Sequence, residues 1–292
     1  MAERGSIPKR AAVDAAEYDE AYFLAAAEGH REFVESRGSR LGARFRRVLA
    51  LADVRPGQRV LDIGCGRGEL VLQCALRGAH AVGIDYAEAA VRIAAEAIAP
   101  YPEEVRARCQ VLAMDARRLE FEDGSFDTVL MTDVVEHLAP TELDAVLAEV
   151  RRVLRTGGRL VVHTSPNRLL LDVVYPAYIR RVHQVVATAC RLLGHRDSVF
   201  SPDLPTASTF PRTDYERRLH INEQSAASLS ASLCRHGFVD VRLRFWEPVA
   251  YPTRWSLRMK TLDFLRFLRP MSLFPPLNRF FCNHILATAR RA

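Results

Sequence analysis

The feature that most constrains the fold of this chain is an alternation of short β-type runs with helical runs between about residues 55 and 165. In such an alternation each helix connects two parallel strands and packs on their sheet, so both faces of the sheet are covered. The pattern therefore predicts an α/β fold. The predicted strands comprise residues 59–64, 80–85, 109–115, 126–133 and 159–167.

Helices are predicted between these strands over residues 68–78, 87–99 and 141–155, the last of them stopped by Gly157-Gly158. A further helix is predicted over residues 222–238, with Asn222 as a possible N-cap and Gly237 at the C-terminal end. Two more strands are predicted over residues 239–247 and 283–291.

The flanking regions divide the chain into four predicted parts. An N-terminal helical cap spans residues 1–54, and the alternating core spans residues 55–165. An insertion at residues 166–220 combines a long apolar and basic helix with a loop rich in Pro, Ser and Thr, which is typical of a lid. Residues 221–292 complete the core and contain a second insertion near residues 252–277.

The amino-acid composition limits the cellular location and the binding partners that are expected for the protein. The start of the chain is polar, and no apolar run is long enough to cross a membrane. The six scattered cysteines favour reduced thiols in a cytoplasmic protein. The net charge of +6 suits an acidic partner, but Lys9 and Lys260 are the only lysines, so arginine-rich codon usage explains the bias more simply. Nucleic acid is not the expected partner.

Three glycines, Gly64, Gly66 and Gly68, follow the first strand and open a helix, which is a suitable place for a ligand that lies against bare backbone. A dinucleotide would place its pyrophosphate at this helix N-terminus. Asp62 and Glu69 flank the loop and disfavour that anion. The loop instead suits a cationic ligand, or one that presents an ammonium group and hydroxyls.

Four acids, Asp62, Asp85, Asp115 and Asp133, lie at the ends of four predicted strands. Because parallel strands point their carboxyl ends to one edge, these side chains are expected to converge on one crevice. Asp85 lies where a carboxylate can accept two ribose hydroxyls. Asp115 can accept from an exocyclic amino group such as adenine N6.

The segments "VLDIGCGRGEL", "VGIDYAEAAV", "MDARRLEFEDGSFDTVLMTDVVEHL" and "VRRVLRTGGRLVVHTSPN" closely resemble, in order, the motifs of class I S-adenosylmethionine-dependent methyltransferases. The resemblance implies a Rossmann-like seven-stranded sheet whose last strand is inserted antiparallel. It also implies S-adenosylmethionine as the cofactor, bound by the core at residues 55–165, while it says little about the methyl acceptor.

Carried over residue by residue, the resemblance implies a place for each part of the cofactor. The methionine moiety would be lined by Gly64, Cys65, Gly66 and Gly68. Asp85 would hold the ribose, and the adenine would lie near Tyr86, Asp115 and Ala116. Asp133, or the backbone of Thr132 to Val134, would lie nearest the methionine amino group and the reacting methyl. Two tyrosines of the cap, Tyr18 and Tyr22, would close over the cofactor.

A hydroxyl acceptor benefits from a base, and the candidates are His137, His163 and His220. His137 and His220 are favoured because related proteins keep residues that face the active site at those positions. Asp133, Glu136 and His137 also match an arrangement with which some quinone O-methyltransferases hold a metal. Since charged helix starts are common, no metal is expected here.

The two insertions, approximately residues 167–219 and 252–281, mix leucine, aromatic residues and arginine. They predict either a helical lid that packs on itself, or a surface for a hydrophobic or lipid-linked acceptor with peripheral contact to an anionic inner membrane.

The expected activity is methyl transfer to oxygen of a natural product, a quinone-like compound, a sugar or a lipid-linked compound. The alternatives are transfer to nitrogen or carbon, or to protein or RNA; "TDVVEHL" lacks the (N/D)PPY tetrapeptide of enzymes that methylate amino groups of bases or glutamine. A binding module without chemistry is a further alternative, which the intact glycines and acids disfavour.

Overall fold

The computed structural model describes residues 13–27, 29–181, 184, 185, 188, 192, 218–246 and 275–292. A seven-stranded sheet occupies the centre of the molecule. Its strands are β1 (Arg59–Ile63), β2 (His80–Asp85), β3 (Cys109–Ala113), β4 (Phe126–Thr132), β5 (Leu154–Thr164), β6 (Phe238–Trp246) and β7 (His284–Arg291).

The strand order is β3-β2-β1-β4-β5-β7-β6. The first five strands pair in parallel, and β7 is inserted antiparallel between β5 and β6. The predicted α/β fold with a Rossmann-like, mostly parallel sheet and an antiparallel last strand is confirmed. The carboxyl ends of β1, β2 and β4 share one edge, which is where the candidate site lies.

Helices cover both faces of the sheet in the described residues. They are α1 (His30–Ser36), α2 (Ala43–Ala52), α3 (Glu69–Leu76), α4 (Glu88–Ile98), α5 (Glu103–Arg106), α6 (Pro140–Val153), α7 (Ala226–Arg235) and α8 (Asn278–Phe281). A 3₁₀ turn spans Ala15–Glu17, and π-helical segments span Tyr22–Ala26 and Leu170–Ile179.

Two apolar clusters fix these helices to the sheet. On one face, β4 and β5 contribute residues such as Val129 and Leu160, against which Leu147 of α6 and Leu229 of α7 pack. On the other face, α2 and α3 pack against β1 and the neighbouring strands. Buried apolar area of this kind is the main favourable contribution to folding, at about 25 cal/mol per Å².

One helix boundary differs from the prediction. The helix expected to continue to residue 155 ends at Val153, and β5 begins at Leu154. Leu154 is fully buried and pairs with Phe126, whereas the next pairing joins Arg159 to Thr128. The extra residues between these pairs form an irregularity around Gly157, whose φ is +72°. Burial of Leu154 therefore decides the boundary, and the glycines lie within the strand.

The N-cap of α7 is Ser225 and not Asn222. The Ser225 hydroxyl oxygen accepts from the backbone N–H of Ser228 at 3.1 Å, and the Ser228 hydroxyl bonds the N–H of Ser225 in return. The N–H of Asn222 donates to the carbonyl of Glu136, at 3.0 Å, before the helix begins. Gly237 follows the helix with φ +76°, as its predicted place requires.

The predicted insertions are described only in part. Residues 168–181 are helical, as expected, and their buried side chains include Leu171 and Val174. The Pro, Ser and Thr-rich loop at 201–215 and most of the second insertion, residues 252–274, lie outside the described residues. The four-part division of the chain stays a prediction. Among the helices that the structure describes, none combines the length and the apolar character that crossing a membrane requires.

Candidate active site

A cavity of about 690 Å³ opens at the carboxyl edge of the sheet, between the strand ends and the N-terminal segment. It brings together nearly all of the predicted site residues. Those that line it are Tyr18, Tyr22, Asp62, Gly64, Cys65, Gly66, Asp85, Tyr86, Asp115, Ala116, Asp133, His137 and His220. The convergence expected from the strand ends is therefore present in the fold.

The glycine loop forms the floor of the cavity. Gly64 and Gly66 have φ of +67° and +50°, which is the left-handed region that side chains disfavour. A Cβ at Gly64 would also lie 2.6 Å from Cγ2 of Val134. The loop therefore needs glycine at position 64 both for its backbone angle and for the close approach of the segment that follows β4.

Gly68 has a packing role that the sequence does not indicate. It lies outside the described lining of the cavity, with φ +78°, and a Cβ there would lie 2.8 Å from the Cβ of Ala94. Gly68 thus lets α3 begin in close contact with α4. Its predicted place beside the methionine moiety stays a prediction.

Asp85 is anchored at the end of β2 by the loop itself. One carboxylate oxygen accepts from the N–H of Gly66 and the other from the N–H of Ala87, both at 3.0 Å. Burial raises the pKa of Asp85, and these hydrogen bonds oppose the rise. A carboxylate oxygen has lone pairs beyond those used here, so a fixed Asp85 can still accept hydroxyls that enter the cavity.

Asp62 lies buried beneath the loop, with 3% of its surface exposed. Burial, together with the nearby charges of Glu69 and Asp85, raises the pKa of Asp62 well above its ordinary value. A cationic ligand in the cavity would offset this cluster of negative charge. Glu69, the other acid beside the loop, is already paired with Arg67 at 2.9 Å.

Arg67 is a structural residue that the sequence reasoning missed. Its side chain is 4% exposed, donates to the carbonyl of Phe23 at 2.9 Å, and lies 5.1 Å from the ring centre of Phe33. A buried guanidinium with these partners ties the glycine loop to the N-terminal cap. The one sequence signal for this role is that a single arginine in "GRGELVL" comes shortly before a run of apolar residues.

Tyr18 and His137 meet at the roof of the cavity. The Tyr18 hydroxyl lies 2.8 Å from Nδ1 of His137, and His137 also hydrogen-bonds the backbone of Leu219. The rings of His137 and His220 pack edge to face with centres 4.8 Å apart. Burial, reinforced by His220, lowers the pKa of His137 to about 3. The imidazole is therefore neutral, and its Nδ1 shares a hydrogen bond with the Tyr18 hydroxyl.

Aromatic contacts hold this roof together. The Tyr18 ring packs edge-on against Tyr22, with centres 5.1 Å apart, and against Tyr86, with centres 5.6 Å apart. Tyr22 in turn contacts Phe23 at 4.8 Å. The predicted cap tyrosines thus lie at the cavity, and Tyr86 connects them to the end of β2.

Asp133 lines the cavity, but its carboxylate is already paired with other side chains. Its φ is +56°, and its carboxylate joins Arg44 at 2.6 Å and Nδ1 of His163 at 2.7 Å. Burial by itself raises the pKa of Asp133, but Arg44 and His163 outweigh it and hold that pKa well below its usual range. Asp133 is consequently a fixed carboxylate, already paired, where it meets the cavity.

His163 is fully buried and lies outside the described lining of the cavity. Its Nε2 lies 3.0 Å from Nδ1 of His284, so both ring nitrogens are used within the protein. This arrangement removes His163 from the candidate bases and leaves His137 and His220.

Asp133, Glu136 and His137, the residues of the metal-like sequence arrangement, do not form one group in the structure. Asp133 faces Arg44 and His163, whereas Glu136, His137 and His220 each place one ligand-type atom within 4.8 Å of the others. Glu136 accepts from the Thr164 hydroxyl at 2.9 Å, and burial followed by the charge of Asp133 raises its pKa well above the ordinary value. Glu136 and His137 already hydrogen-bond within the protein, to Thr164 and to Tyr18, and the expectation that no metal binds here stays a prediction.

Asp115 lies at the outer rim. Its carboxylate faces the guanidinium of Arg117, with the shortest contact at 2.7 Å, and Arg117 also reaches Glu142 at 2.5 Å. The hydrogen bond from Arg117 outweighs partial burial and lowers the pKa of Asp115. The rim of the cavity therefore carries an ordered carboxylate next to Ala116.

Comparison with known proteins gives methyltransferases among the similar proteins. Residues 60–158 match the family described as "Methyltransferase domain". The chain is 36% identical over 141 residues to demethylmenaquinone methyltransferase of Thermus thermophilus, covering 47% of this chain and 61% of that protein. It is 32% identical over 136 residues to ubiquinone biosynthesis O-methyltransferase of Hahella chejuensis, covering 44% and 52%.

The fold is shared over a longer stretch. Phosphoethanolamine N-methyltransferase 2 of Haemonchus contortus, solved with phosphomonomethylethanolamine and S-adenosylhomocysteine, superposes with a TM-score of 0.55 at 17% identity. That superposition covers 94% of this chain and 60% of the other. The sequence matches, in contrast, reach only about half to three fifths of the two curated relatives named above.

Proposed function

We propose that the chain is a class I S-adenosylmethionine-dependent methyltransferase and that it transfers a methyl group to an oxygen of a hydrophobic small-molecule acceptor. The observation that carries the proposal is the neutral His137, with its Nδ1 on the Tyr18 hydroxyl, inside the cavity that the glycine loop lines. An imidazole in this state can take a proton from a hydroxyl through the phenol.

The residues present fit S-adenosylmethionine. Gly64 and Gly66 leave bare backbone for the methionine portion, and a cationic group near buried Asp62 would oppose the rise in its pKa. Asp85, fixed by two backbone amides, would accept the ribose hydroxyls. Tyr86 and Asp115 would flank the adenine. When bound, the cofactor supplies an already activated methyl group on a positively charged sulfur.

The protein then has two tasks in the reaction. It aligns the acceptor oxygen with the methyl group and excludes water, which together can contribute several kcal/mol. It also receives the hydroxyl proton. Tyr18 can accept that proton as it passes its own to Nδ1 of His137, and His220 lies beside the ring that becomes charged.

Two features support a hydrophobic, quinone-like or phenolic acceptor. The cavity wall includes Tyr18, Tyr22, Phe23 and Phe45, which form an aromatic surface around the base. The curated relatives named above include enzymes of menaquinone and ubiquinone biosynthesis. An aromatic ring stacked on such a wall would present its hydroxyl to Tyr18.

A methyl-transfer screen tests this proposal. Labelled S-adenosylmethionine is incubated with the full chain and with phenolic, quinone-like, sugar, lipid and amine acceptors, and cofactor binding is measured separately by calorimetry. We expect binding of the cofactor and transfer to a phenolic or quinone-like oxygen. Transfer only to an amine such as phosphoethanolamine would favour the nitrogen alternative, and no cofactor binding would exclude a methyltransferase.

A further inference from the structure

A basic surface lies on strands β5, β7 and β6 and shares no lining residue with the cavity described above. Four arginines, Arg159, Arg242, Arg244 and Arg290, line a depression of about 240 Å³. We call these residues the arginine face. The other residues that line the depression are Ala50, Leu51, Asp240, Thr288 and Ala289.

The strand register places all four side chains on the same side of the sheet. Arg159 of β5 is directly opposite Arg290 of β7. On the edge strand, Arg242 is opposite Thr288 and Arg244 is opposite Leu286, two and four residues from Arg290. Because side chains alternate with a period of two, these positions share one face. Like charges directly opposite each other destabilise a sheet, so sheet stability does not explain this arrangement.

The guanidinium groups at the outer part of this face are available to a partner. Arg242 and Arg244 are exposed, and within the described chain neither forms an ion pair with a carboxylate. Arg159 donates to the carbonyl of Leu51 at 2.6 Å, and Arg290 donates to the carbonyl of Gly157 at 2.8 Å. These hydrogen bonds hold the two guanidinium groups in place. The only carboxylate that lines the depression within the described residues is Asp240, and beyond the lining Asp53 lies 3.9 Å from Arg159.

The rest of β6 shows that this face is directed outward. The alternate residues Val241, Leu243 and Phe245 pack against the apolar cluster beneath α7. Trp246 continues the arginine side of the strand, and the guanidinium carbon of Arg47 lies 4.9 Å from its ring centre. Arginine beside tryptophan is a combination typical of surfaces that meet a lipid headgroup region.

We propose that the arginine face docks the protein on the anionic surface of a lipid bilayer, with the guanidinium groups on lipid phosphates. Charge complementarity carries this step, since a guanidinium offers two parallel donors to a phosphate and basic clusters are attracted to anionic leaflets. The choice of a bilayer rests on the proposed function, because a hydrophobic quinone-like acceptor resides in the membrane and must be collected there.

Vesicle co-sedimentation of the full chain tests the proposal. The vesicles contain phosphatidylglycerol with phosphatidylcholine, or phosphatidylcholine alone, at low salt. We expect binding to the anionic vesicles only, weakened at least about tenfold by Arg242→Glu/Arg244→Glu. The matched control is Arg106→Glu/Arg118→Glu, which changes the net charge equally near β3, at the opposite edge of the sheet. We expect the control variant to retain most of the binding.

Three results would overturn the proposal: equal binding to both vesicle types, equal losses in both variants, or capture of duplex DNA without binding to anionic vesicles. Arg242→Lys/Arg244→Lys should retain binding within about threefold, because the charge is kept. Calorimetry with S-adenosylmethionine and transfer to a water-soluble phenol need no vesicle. If these assays succeed while docking fails, only the docking proposal is lost; if they fail while docking succeeds, only the proposed function is lost.

Discussion

The hydroxyl of Tyr18 lies 2.8 Å from Nδ1 of His137, across 119 positions of sequence. This contact joins the N-terminal cap to the segment that follows β4, so the cap is part of the candidate active site. The tyrosine is 7% exposed, which places the hydrogen bond in a medium of low polarity where it is stronger than in water.

Replacing this phenol tests the proton path. Tyr18→Phe removes the hydroxyl and retains the ring, so we expect kcat to fall about tenfold to a hundredfold while the affinity for S-adenosylmethionine changes less than about threefold. Steady-state kinetics and calorimetry measure the two quantities. Tyr22→Phe, in the same aromatic group, keeps the Tyr18 hydroxyl and should leave kcat nearly unchanged. Equal losses in both variants would contradict a specific role for Tyr18.

Asp85→Ala should weaken cofactor affinity at least about tenfold, because two charge-assisted hydrogen bonds to the ribose would be lost. The substitution also frees the N–H groups of Gly66 and Ala87, so Asp85→Asn, which keeps one acceptor oxygen, separates loop damage from ribose recognition. Both affinities are measured by calorimetry. Asp123→Ala, at an exposed carboxylate, is the control. Unchanged affinity in Asp85→Ala would refute the ribose assignment.

The strands could be predicted because the apolar runs and the acids at their ends are local signals, whereas the antiparallel last strand is expected from the family resemblance. Asp62, Asp85 and the glycines at 64 and 66 therefore lie where the sequence places them. The pairing of Asp133 with Arg44 could not be predicted, since it depends on how α2 crosses the sheet. A single arginine among many carries no local mark of such a long-range contact.

The role of Gly68 shows a second limit of the sequence. Its spacing fits a ligand loop, but what decides its role is the distance to Ala94 on a helix 26 positions later in the chain. Packing between two helices depends on the crossing of their axes, which no short motif encodes.

Gly68→Ala should lower the free energy of unfolding by about 1–3 kcal/mol, through strain at φ +78° and the contact with Ala94. Urea denaturation measures this loss. The folded fraction should still bind S-adenosylmethionine within about threefold of the normal affinity, because the side chain at position 68 would point to α4. Gly64→Ala, with its clash at Val134 beside the cavity, should weaken binding much more. If Gly68→Ala abolishes binding while stability is unchanged, the packing role is wrong.

Acid should destabilise the fold through His284. Burial and the neighbouring His163 lower the pKa of His284 to about 3, with Asp133 and Arg44 nearby. Between that pKa and the ordinary value, the unfolded state binds more protons than the folded state, so stability falls as pH decreases. From pH 7.5 to about 5.5 the loss from this residue is about 1 kcal/mol.

His284→Gln should remove that share of the pH dependence while preserving a hydrogen-bonding side chain for His163. Urea denaturation at both pH values gives the difference between the variant and the original chain. His80→Gln changes an exposed histidine at the start of β2 and should leave the pH dependence as it was. Identical slopes for His284→Gln and the original chain would show that His284 does not titrate on unfolding.

Asp133→Asn tests the buried ion pair that fixes the end of β4. Asparagine tolerates φ +56°, so the backbone angle is not the cause of any loss. The Arg44 guanidinium, whose side chain is 9% exposed, would remain buried without its carboxylate, and we expect a loss of about 2–4 kcal/mol in urea denaturation. Arg44→Met should restore part of this stability when combined with Asp133→Asn, because the uncompensated charge is then removed. If the two substitutions lower stability additively, the carboxylate and the guanidinium are not coupled, and Asp133 is held by its backbone and His163 alone.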